Sequence, residues 1–330
     1  MCTALSLLPD PSGASHLFGR TLDIERHYGA KVVVAPRRYP LRPRRAPAVL
    51  SHYALIGAAV CQDGFPLYFE AANEHGLCMA GLNFPGFAAY HPPIEGRINL
   101  APFELIPYVL GRCAAASQAR ALLEQVNVTD DAFSPDLPNT PLHWLIADAR
   151  ECFAAESMAS GLVLTDDPAR TLTNSPPLAH HLLRLADHMA LTPAPPVNRF
   201  APGVPLEPYS YGMGALGLPG DLSSPSRFVR AAFLARHSVC GDTPPVLQFL
   251  HLLESVAQPR GATRTQDGAF EYTHYMSCID ASSAVYHYRL YGSARVCAVR
   301  LHDHPLDGDA LLAAPMVGDA APLFTRAEPL

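Results

Sequence analysis

The chain has 330 residues, of which 49% are hydrophobic and 16% charged, and its formal net charge is −6. This apolar content can fill a packed core and excludes a disordered chain, while the mildly acidic charge argues against a nucleic-acid-binding face. No run approaches the roughly 18 apolar residues of a membrane-spanning helix, and no signal-peptide pattern opens the chain, so we expect a cytoplasmic protein without a membrane partner.

The first third of the chain is predicted to consist mainly of strands. Residues 3–8 form one candidate strand, and a turn after it would return the segment 16–25 beside the start of the chain. Further strands are predicted at Lys31–Ala35, 53–60, 67–71 and 77–83. The second and third of these are expected to pair through the turn at residues 62–64, which contains Asp-Gly.

The remainder of the chain alternates between helical and strand patterns. Helices are predicted at 103–110, 117–126, 178–189, 227–236 and 246–256 from the spacing of their apolar residues. Strands are predicted at 142–148, 152–157, 276–279, 284–291 and 296–301. This order favours a single α+β domain, residues 2–330, with layered sheets and helices. A proline-rich excursion at 191–209 is too long for a simple connection, so we expect it to pack on a neighbouring subunit.

The cysteines and histidines give no pattern typical of a metal site. The eight cysteines are scattered singly, which in a chain without a secretion signal favours reduced thiols over disulfides or zinc. His143 and the pair His180–His181 invite a metal or general-base hypothesis. No ligand set with suitable spacing surrounds them, so packing or surface roles are favoured and no cofactor is expected.

Cys2 differs from the other cysteines because of its position. Removal of Met1 would leave a thiol and a free α-amine on one residue, and such an amine titrates near ~7.7–8.0. A nucleophile and a base would then be within reach of each other. The alternative is a chance residue at a frayed terminus. Arg20 could supply positive charge to the thiolate and Asp23 could accept a hydrogen bond from the amine, although each could equally belong to a surface ion pair.

Several motifs, in a fixed order along the chain, bear on these alternatives. They are Met1-Cys2-Thr3, LFGR at 17–20 with Asp23, GLNFP at 81–85, NTPLHW at 139–144, LTNSP at 172–176, GLPGD at 217–221 followed by RFVR at 227–230, RGATRT at 260–265 and Ser277-Cys278. Together they make the sequence resemble the choloylglycine hydrolase family, whose members include conjugated bile acid hydrolases and penicillin V acylases.

The resemblance implies an N-terminal-nucleophile amidase with a four-layer αββα fold and no cofactor or metal. Cys2 would be the nucleophile and its own amine the base. The other implied catalytic residues are Arg20, Asp23, Asn83, Asn174 and Arg227. Asn83 and Asn174 match positions that form the oxyanion hole and orient the site, which suits neutral amide donors facing a developing negative charge.

The resemblance also suggests a substrate and an assembly. Asn83 is similar to the bile-acid branch, whereas penicillin V acylases often carry tyrosine there. Positions similar to the steroid pocket of that branch are Leu22, Tyr28, Phe65, Phe133 and Leu137. The excursion 191–209 lies where that branch has a tetramer-assembly loop, so a homotetramer is expected.

The favoured function is therefore hydrolysis of glycine- or taurine-conjugated bile salts. Deacylation of penicillin V or an acyl homoserine lactone is the first alternative, and a catalytically silent relative that binds apolar ligands is the second. Two local departures from the family pattern, Gln258-Pro259 and Arg26-His27, are expected to alter a pocket wall without touching the chemistry.

Overall fold

The computed structural model describes residues 1–8, 15–319 and 321, and these form stacked sheets flanked by helices. In chain order the strands are β1 (Cys2–Leu7), β2 (Leu17–Ile24), β3 (Lys31–Ala35), β4 (Leu55–Gln62), β5 (Phe65–Asn73), β6 (Cys78–Asn83), β7 (Ile98–Leu100), β8 (Val126–Val128), β9 (Leu142–Ala147), β10 (Cys152–Met158), β11 (Gly161–Asp166), β12 (Thr171–Leu172), β13 (Thr263–Arg264), β14 (Phe270–Asp280), β15 (Val285–Leu290), β16 (Cys297–Arg300) and β17 (Leu312–Pro315). The α-helices are α1 (Leu105–Arg112), α2 (Ala116–Leu123), α3 (Leu178–Arg184), α4 (Ser224–His237) and α5 (Pro245–Glu254).

The strands form two large antiparallel sheets. The first has the order β12-β1-β2-β14-β15-β16, with β13 paired to β14, and the second has the order β11-β10-β9-β6-β5-β4-β3-β17. Strands β7 and β8 form a small parallel pair apart from both. Strand β1 is thus an inner strand of the first sheet, between β2 and the short β12.

Alternation along the strands explains how the layers stack. On β3, Val32 and Val34 belong to the core between the two sheets, whereas Val33 faces the core beneath α1 and α2. On β1, Ala4 faces the inter-sheet core and Leu5 faces the core beneath α4 and α5. Because successive strand residues point to opposite faces, each sheet buries both of its faces. The resulting order is helix, sheet, sheet, helix, which confirms the predicted four-layer αββα fold.

The first turn of α4 contacts the residues that follow β12. Pro225 lies in the first turn, where its missing N–H costs no helical hydrogen bond. Ser223 precedes the helix but makes no side-chain cap. The Ser224 hydroxyl instead donates to the Thr173 hydroxyl (2.9 Å) and accepts from the Asn174 N–H (2.8 Å). The helix start therefore anchors the chain that follows β12.

Most predicted elements are present, with shifted ends. The predicted helix 117–126 is wrong at its end, because the helix stops at Leu123 and Val126 opens strand β8. The predicted helix 178–189 is α-helical only to Arg184 and continues as a 3₁₀ turn, Leu185–His188. Strands β7, β8, β11, β12, β13 and β17 were not predicted.

Three other expectations concern connections and extent. The turn expected between residues 8 and 16 falls on 9–14, outside the described residues. The excursion 191–209 contains no helix or strand, as expected from its prolines. Among the described residues, no helix is long and apolar enough to cross a membrane. That residues 2–330 form one domain stays a prediction.

Candidate active site

Cys2 lies at the start of β1, buried to 3% exposure. Its backbone pairs with Leu22 on β2. On its other side, β12 ends at Leu172, so that Asn174 comes beside Cys2 two residues later. The Cys2 N–H donates to the Asn174 side-chain oxygen at 2.8 Å. The first residues of the chain are therefore held on both sides, which contradicts the frayed-terminus alternative.

Arg227, on α4, fixes this arrangement from beneath. It is fully buried, and one guanidinium nitrogen donates to the Cys2 carbonyl oxygen (2.6 Å) and to the Thr3 hydroxyl (2.6 Å). The other terminal nitrogen donates to the Asn174 side-chain oxygen at 2.7 Å. Burial lowers the pKa of this guanidinium. One arginine thus connects the nucleophile's own backbone to the amide beside it.

Arg20, on β2, supplies positive charge from the inter-sheet side. It is 1% exposed, and its guanidinium donates to the carbonyl oxygens of Gly81 (2.5 Å) and Phe69 (3.1 Å). Burial acts to lower its pKa, but the negative charge that Cys2 and Glu70 can carry outweighs burial and raises it. Arg20 therefore stays charged beside Cys2.

Glu70 supports Arg20 from the second sheet. Its carboxylate lies 3.8 Å from the Arg20 guanidinium and accepts hydrogen bonds from the hydroxyls of Tyr275 (2.9 Å) and Tyr286 (2.5 Å). Burial raises the pKa of Glu70. The three groups that contact this carboxylate satisfy it inside the core, as a buried charge requires.

Asp23 presents its carboxylate to side chains rather than to an amine. The carboxylate accepts hydrogen bonds from the hydroxyls of Thr273 (2.6 Å) and Thr21 (2.9 Å) and from the Gln258 side-chain amide (3.3 Å). Gln258, part of one of the two departures from the family pattern, therefore contacts a predicted site residue, and whether it affects the chemistry stays a prediction. Gln258 is fully buried and holds one of the predicted site residues.

The backbone carbonyl of Asp23 is the group that meets the chain's amine. It accepts a hydrogen bond from the Met1 amine at 2.7 Å and lies 3.9 Å from the Cys2 sulfur. The Met1 amine also forms an ion pair with Glu271, a residue that no sequence motif signalled. Burial lowers the pKa of this amine. The Met1 amine is thus bound by the oxygen atoms of Asp23 and Glu271, while its burial favours the neutral form.

Asn83, at the end of β6, completes the group. Its backbone oxygen accepts a hydrogen bond from the Asn174 side-chain nitrogen at 2.7 Å. Its own side-chain oxygen is buried, and within the described residues it finds no hydrogen-bond partner. Two amide side chains thus lie together near Cys2, one of them with hydrogen-bonding capacity to spare for a ligand.

Two of the five predicted steroid-pocket residues, Phe65 and Phe133, contact each other. Phe65 and Phe133 lie together, with ring centroids 6.1 Å apart, and both contact Phe103. Leu137 is exposed and pairs through its backbone with Ser134, near Phe133.

The other two predicted pocket residues, Leu22 and Tyr28, have different neighbours. Leu22 is buried in the core beside Cys2, so it is a core residue as well as a site neighbour. Tyr28 is 43% exposed and faces Phe69. That these five residues form one substrate pocket stays a prediction.

The histidines named from the sequence fall into two environments. His143 and His181 are buried, whereas His180 is exposed. Across the described part of the chain, no group of three or more histidine, cysteine, aspartate or glutamate side chains could hold a metal ion.

One cavity of the described structure is lined by residues other than those of the Cys2 site. It measures about 650 Å³, and Arg37, Ser51, Glu74 and Arg112 are among its lining residues. None of the predicted site residues lines it. A volume by itself does not make a reactive site, whereas a nucleophile, two cations and two amides converge at Cys2, so the chemistry points to Cys2.

Comparison with known proteins shows which family the chain matches. The family model for linear amide C–N hydrolases of the choloylglycine hydrolase family matches residues 2–313. A bile salt hydrolase/transferase from Lactiplantibacillus plantarum is 42% identical over 97% of this chain and 98% of its own length. A conjugated bile acid hydrolase from Lactobacillus gasseri is 35% identical over 94% of this chain and 99% of its own.

Solved structures give the same result for the fold. A variant of conjugated bile acid hydrolase from Clostridium perfringens superposes with a TM-score of 0.90 at 29% identity, covering 98% of this chain and 100% of that one. Penicillin V acylase from Agrobacterium tumefaciens superposes with a TM-score of 0.72 at 20% identity, covering 94% and 90%. The second likeness concerns the fold alone.

Proposed function

The chain belongs to the choloylglycine hydrolase family of linear amide C–N hydrolases, and we propose that it cleaves the amide bond of glycine- or taurine-conjugated bile salts through a thioester on Cys2. The observation that carries this proposal is the convergence on Cys2 of Arg20, Asn174 and Arg227 from separate elements. Relatives across nearly the whole length are named bile salt hydrolase/transferase or conjugated bile acid hydrolase.

The first step forms the thioester. The Cys2 sulfur attacks the amide carbonyl carbon, a C–S bond forms, and the carbonyl oxygen becomes an oxyanion beside Asn83 and Asn174. The thiol proton passes to the α-amine of Cys2. When the tetrahedral intermediate collapses, the C–N bond breaks and the resulting ammonium gives its proton to the leaving glycine or taurine nitrogen.

The second step consumes water. The neutral α-amine takes a proton from a water molecule as the water oxygen attacks the thioester carbonyl carbon. The C–S bond then breaks, the sulfur regains the proton, and the free bile acid leaves. Both steps require that Met1 has been removed, because in the Met1 form the Cys2 nitrogen is an amide that donates to Asn174 and cannot act as a base.

Arg20 and Arg227 have different tasks in this mechanism. Arg20 lies among backbone carbonyls and Glu70 and keeps positive charge next to the sulfur. Arg227 holds the Cys2 carbonyl and the Asn174 amide oxygen, which leaves the Asn174 nitrogen pointing toward Asn83. The acceptor for the Cys2 nitrogen is the Asn174 side-chain oxygen, whereas the Asp23 backbone carbonyl accepts from the Met1 amine before processing.

One preparation of purified protein tests the proposal against its alternatives. Intact mass first establishes whether Met1 is absent. Turnover of glycocholate, taurocholate, penicillin V and an acyl homoserine lactone is then measured side by side. We expect both bile salts to be hydrolysed faster than the other two amides, and Cys2→Ala to abolish all turnover while Cys61→Ala, at an exposed thiol, does not.

Two results would overturn it. If penicillin V turnover far exceeds that of both bile salts, the chain is an acylase of the other branch. If protein that has lost Met1 hydrolyses none of the four amides yet binds bile salts, the chain is a silent ligand-binding relative.

We further propose a homotetramer that assembles through the excursion 191–209. Its large apolar side chains are presented to solvent, with Phe200 92%, Tyr209 86% and Val197 77% exposed. Surfaces of this kind on a single chain are typical of contacts with another protein. We also propose that residues 2–330 act as one catalytic domain and that the protein is cytoplasmic, in keeping with eight cysteines that are all unpaired thiols.

A further inference from the structure

His143, on β9, lies at the centre of a buried polar connection behind the site. It is fully buried, and its backbone pairs with Leu82, the residue before Asn83. Its ring stacks on Phe84, the residue after Asn83, with centroids 4.2 Å apart and planes 7° from parallel. The segment that carries Asn83 is therefore in contact with His143 on both sides of the asparagine.

Both ring nitrogens of His143 meet acceptors. Nδ1 lies 3.1 Å from a carboxylate oxygen of Glu156, and Nε2 lies 3.0 Å from the backbone oxygen of Thr173. Glu156, on β10, is 1% exposed and also accepts the Leu178 N–H at 3.0 Å. The His143–Glu156 pair thus bonds to the backbone on both sides of Asn174.

The peptide unit that joins Thr173 to Asn174 is consequently fixed at both polar atoms. His143 holds its carbonyl oxygen, and the Ser224 hydroxyl accepts from its N–H at 2.8 Å. The next carbonyl, that of Asn174, lies 2.9 Å from Nε2 of His181. With the backbone fixed in this way, the Asn174 side chain starts from a set position, and its hydrogen bonds to Cys2, Arg227 and Asn83 set its direction.

We propose that the His143–Glu156 pair is a positioning device that sets the two candidate oxyanion-hole residues, Asn83 and Asn174, relative to Cys2. This inference rests on the proposed amide hydrolysis. Packing alone is a weaker account, because a buried ionisable pair is costly and an apolar side chain of similar volume would fill the space at lower cost. Here the polar atoms of the pair form hydrogen bonds with the backbone of the segment that carries Asn174.

Two substitutions of His143 separate positioning from packing. A glutamine amide reaches about as far as Nε2 and can still donate to Thr173, whereas an asparagine amide reaches about as far as Nδ1 and meets only Glu156. We expect His143→Asn to lower kcat by about 10–10²-fold with KM nearly unchanged. A misplaced oxyanion donor weakens stabilisation of the transition state more than binding of the substrate. His143→Gln should keep most of kcat.

A matched control is available at His52. Its ring nitrogens also meet two backbone carbonyls, those of Tyr53 (2.6 Å) and Tyr39 (2.8 Å), and it is 6% exposed. It contacts none of the proposed site residues. His52→Gln should lower the melting temperature and leave kcat unchanged, which calibrates what the loss of a buried histidine does to stability alone.

A second measurement needs no substrate, so it keeps this inference separate from the proposed function. Hydrogen exchange of the peptide spanning residues 173–178 should accelerate in His143→Asn and stay slow in His143→Gln. Equal kcat losses in both variants that follow their melting temperatures, or equal exchange rates, would overturn the positioning role. If wild-type protein cleaves penicillin V instead of bile salts, the same comparison is made with that amide.

Discussion

The Cys2 site and the excursion 191–209 differ in the burial of their side chains and in the sequence distance that their contacts span. At the site, side chains are buried and contacts join distant parts of the chain, as between Cys2 and Arg227, 225 residues apart. In the excursion, the Asn198 amide bonds to Ala201 and Val204, three and six residues away, while Phe200 is 92% exposed.

This difference separates two kinds of task. A reacting group must stand in a fixed geometry before substrate arrives, and long-range contacts inside a core provide it. A surface that meets another copy of the chain needs apolar area left uncovered by its own fold. The following tests ask whether the two regions can be disturbed independently.

The largest effect is expected from removing one amide at the site and a matched one in the excursion. Asn174→Ala should lower kcat by about 10²–10³-fold, because one donor to the oxyanion and the acceptor for the Cys2 amine are lost together. Asn198→Ala should leave kcat unchanged and loosen the excursion. Steady-state kinetics and melting curves on both variants provide the measurement. Comparable losses of kcat in the two would mean that the regions are not independent.

The next effect is a pH dependence carried by the site alone. Burial lowers the pKa of the Met1 amine; Cys2 and Asp23 act to raise it, and Arg227 and Arg20 to lower it. After processing, the amine would lie one residue further along, on Cys2, which is 3% exposed and whose nitrogen donates to Asn174 in the Met1 form, and it must be neutral to act as a base. Activity should therefore fall about tenfold per pH unit below an amine pKa that is lower than the ordinary ~7.7–8.0.

The pH profile of kcat/KM checks this expectation. Its acid limb should have a midpoint below the ordinary range for an α-amine, and the limb should be the same in Asn198→Ala. A midpoint at or above that range would show that burial does not act on the Cys2 amine as it acts on that of Met1.

The smallest effect on catalysis should come from the excursion's apolar side chains. Phe200→Ser combined with Tyr209→Ser should keep kcat within about twofold, as surface substitutions usually do, while the mass measured by light scattering shifts to smaller species. Val239→Ser, at another apolar side chain that is 82% exposed, is the control and should not change the mass. An unchanged mass in the double variant would remove the excursion from the assembly interface.

The sequence predicts the regular parts of the fold well, where the local pattern and the tertiary environment agree. The valines of Lys31–Ala35 suit a strand buried on both faces, and the structure has that strand with those ends. Thr171–Leu172 and Leu312–Pro315 were missed because each is a short edge strand. They exist through pairing with β1 and β3, and nothing in their local patterns indicates this.

For the site, motifs located the six residues but could not provide their partners. Glu271 pairs with the Met1 amine and Gln258 donates to Asp23, both across more than 230 residues of chain, and no local pattern indicates either contact. His143 was expected to pack, and it does, yet its hydrogen bonds to Glu156 and Thr173 depend on how β9, β10 and the chain after β12 come together. Such contacts follow from topology.

The position of Cys2 on an inner strand has a thermodynamic consequence. A chain end is ordinarily the part with the most conformational freedom, and ordering one residue's backbone costs about 1–2 kcal/mol of entropy. Here β2 and β12 flank the first strand, so that ordering occurs when the protein folds. Substrate binding then need not organise the nucleophile, and its energy can be directed to the scissile amide.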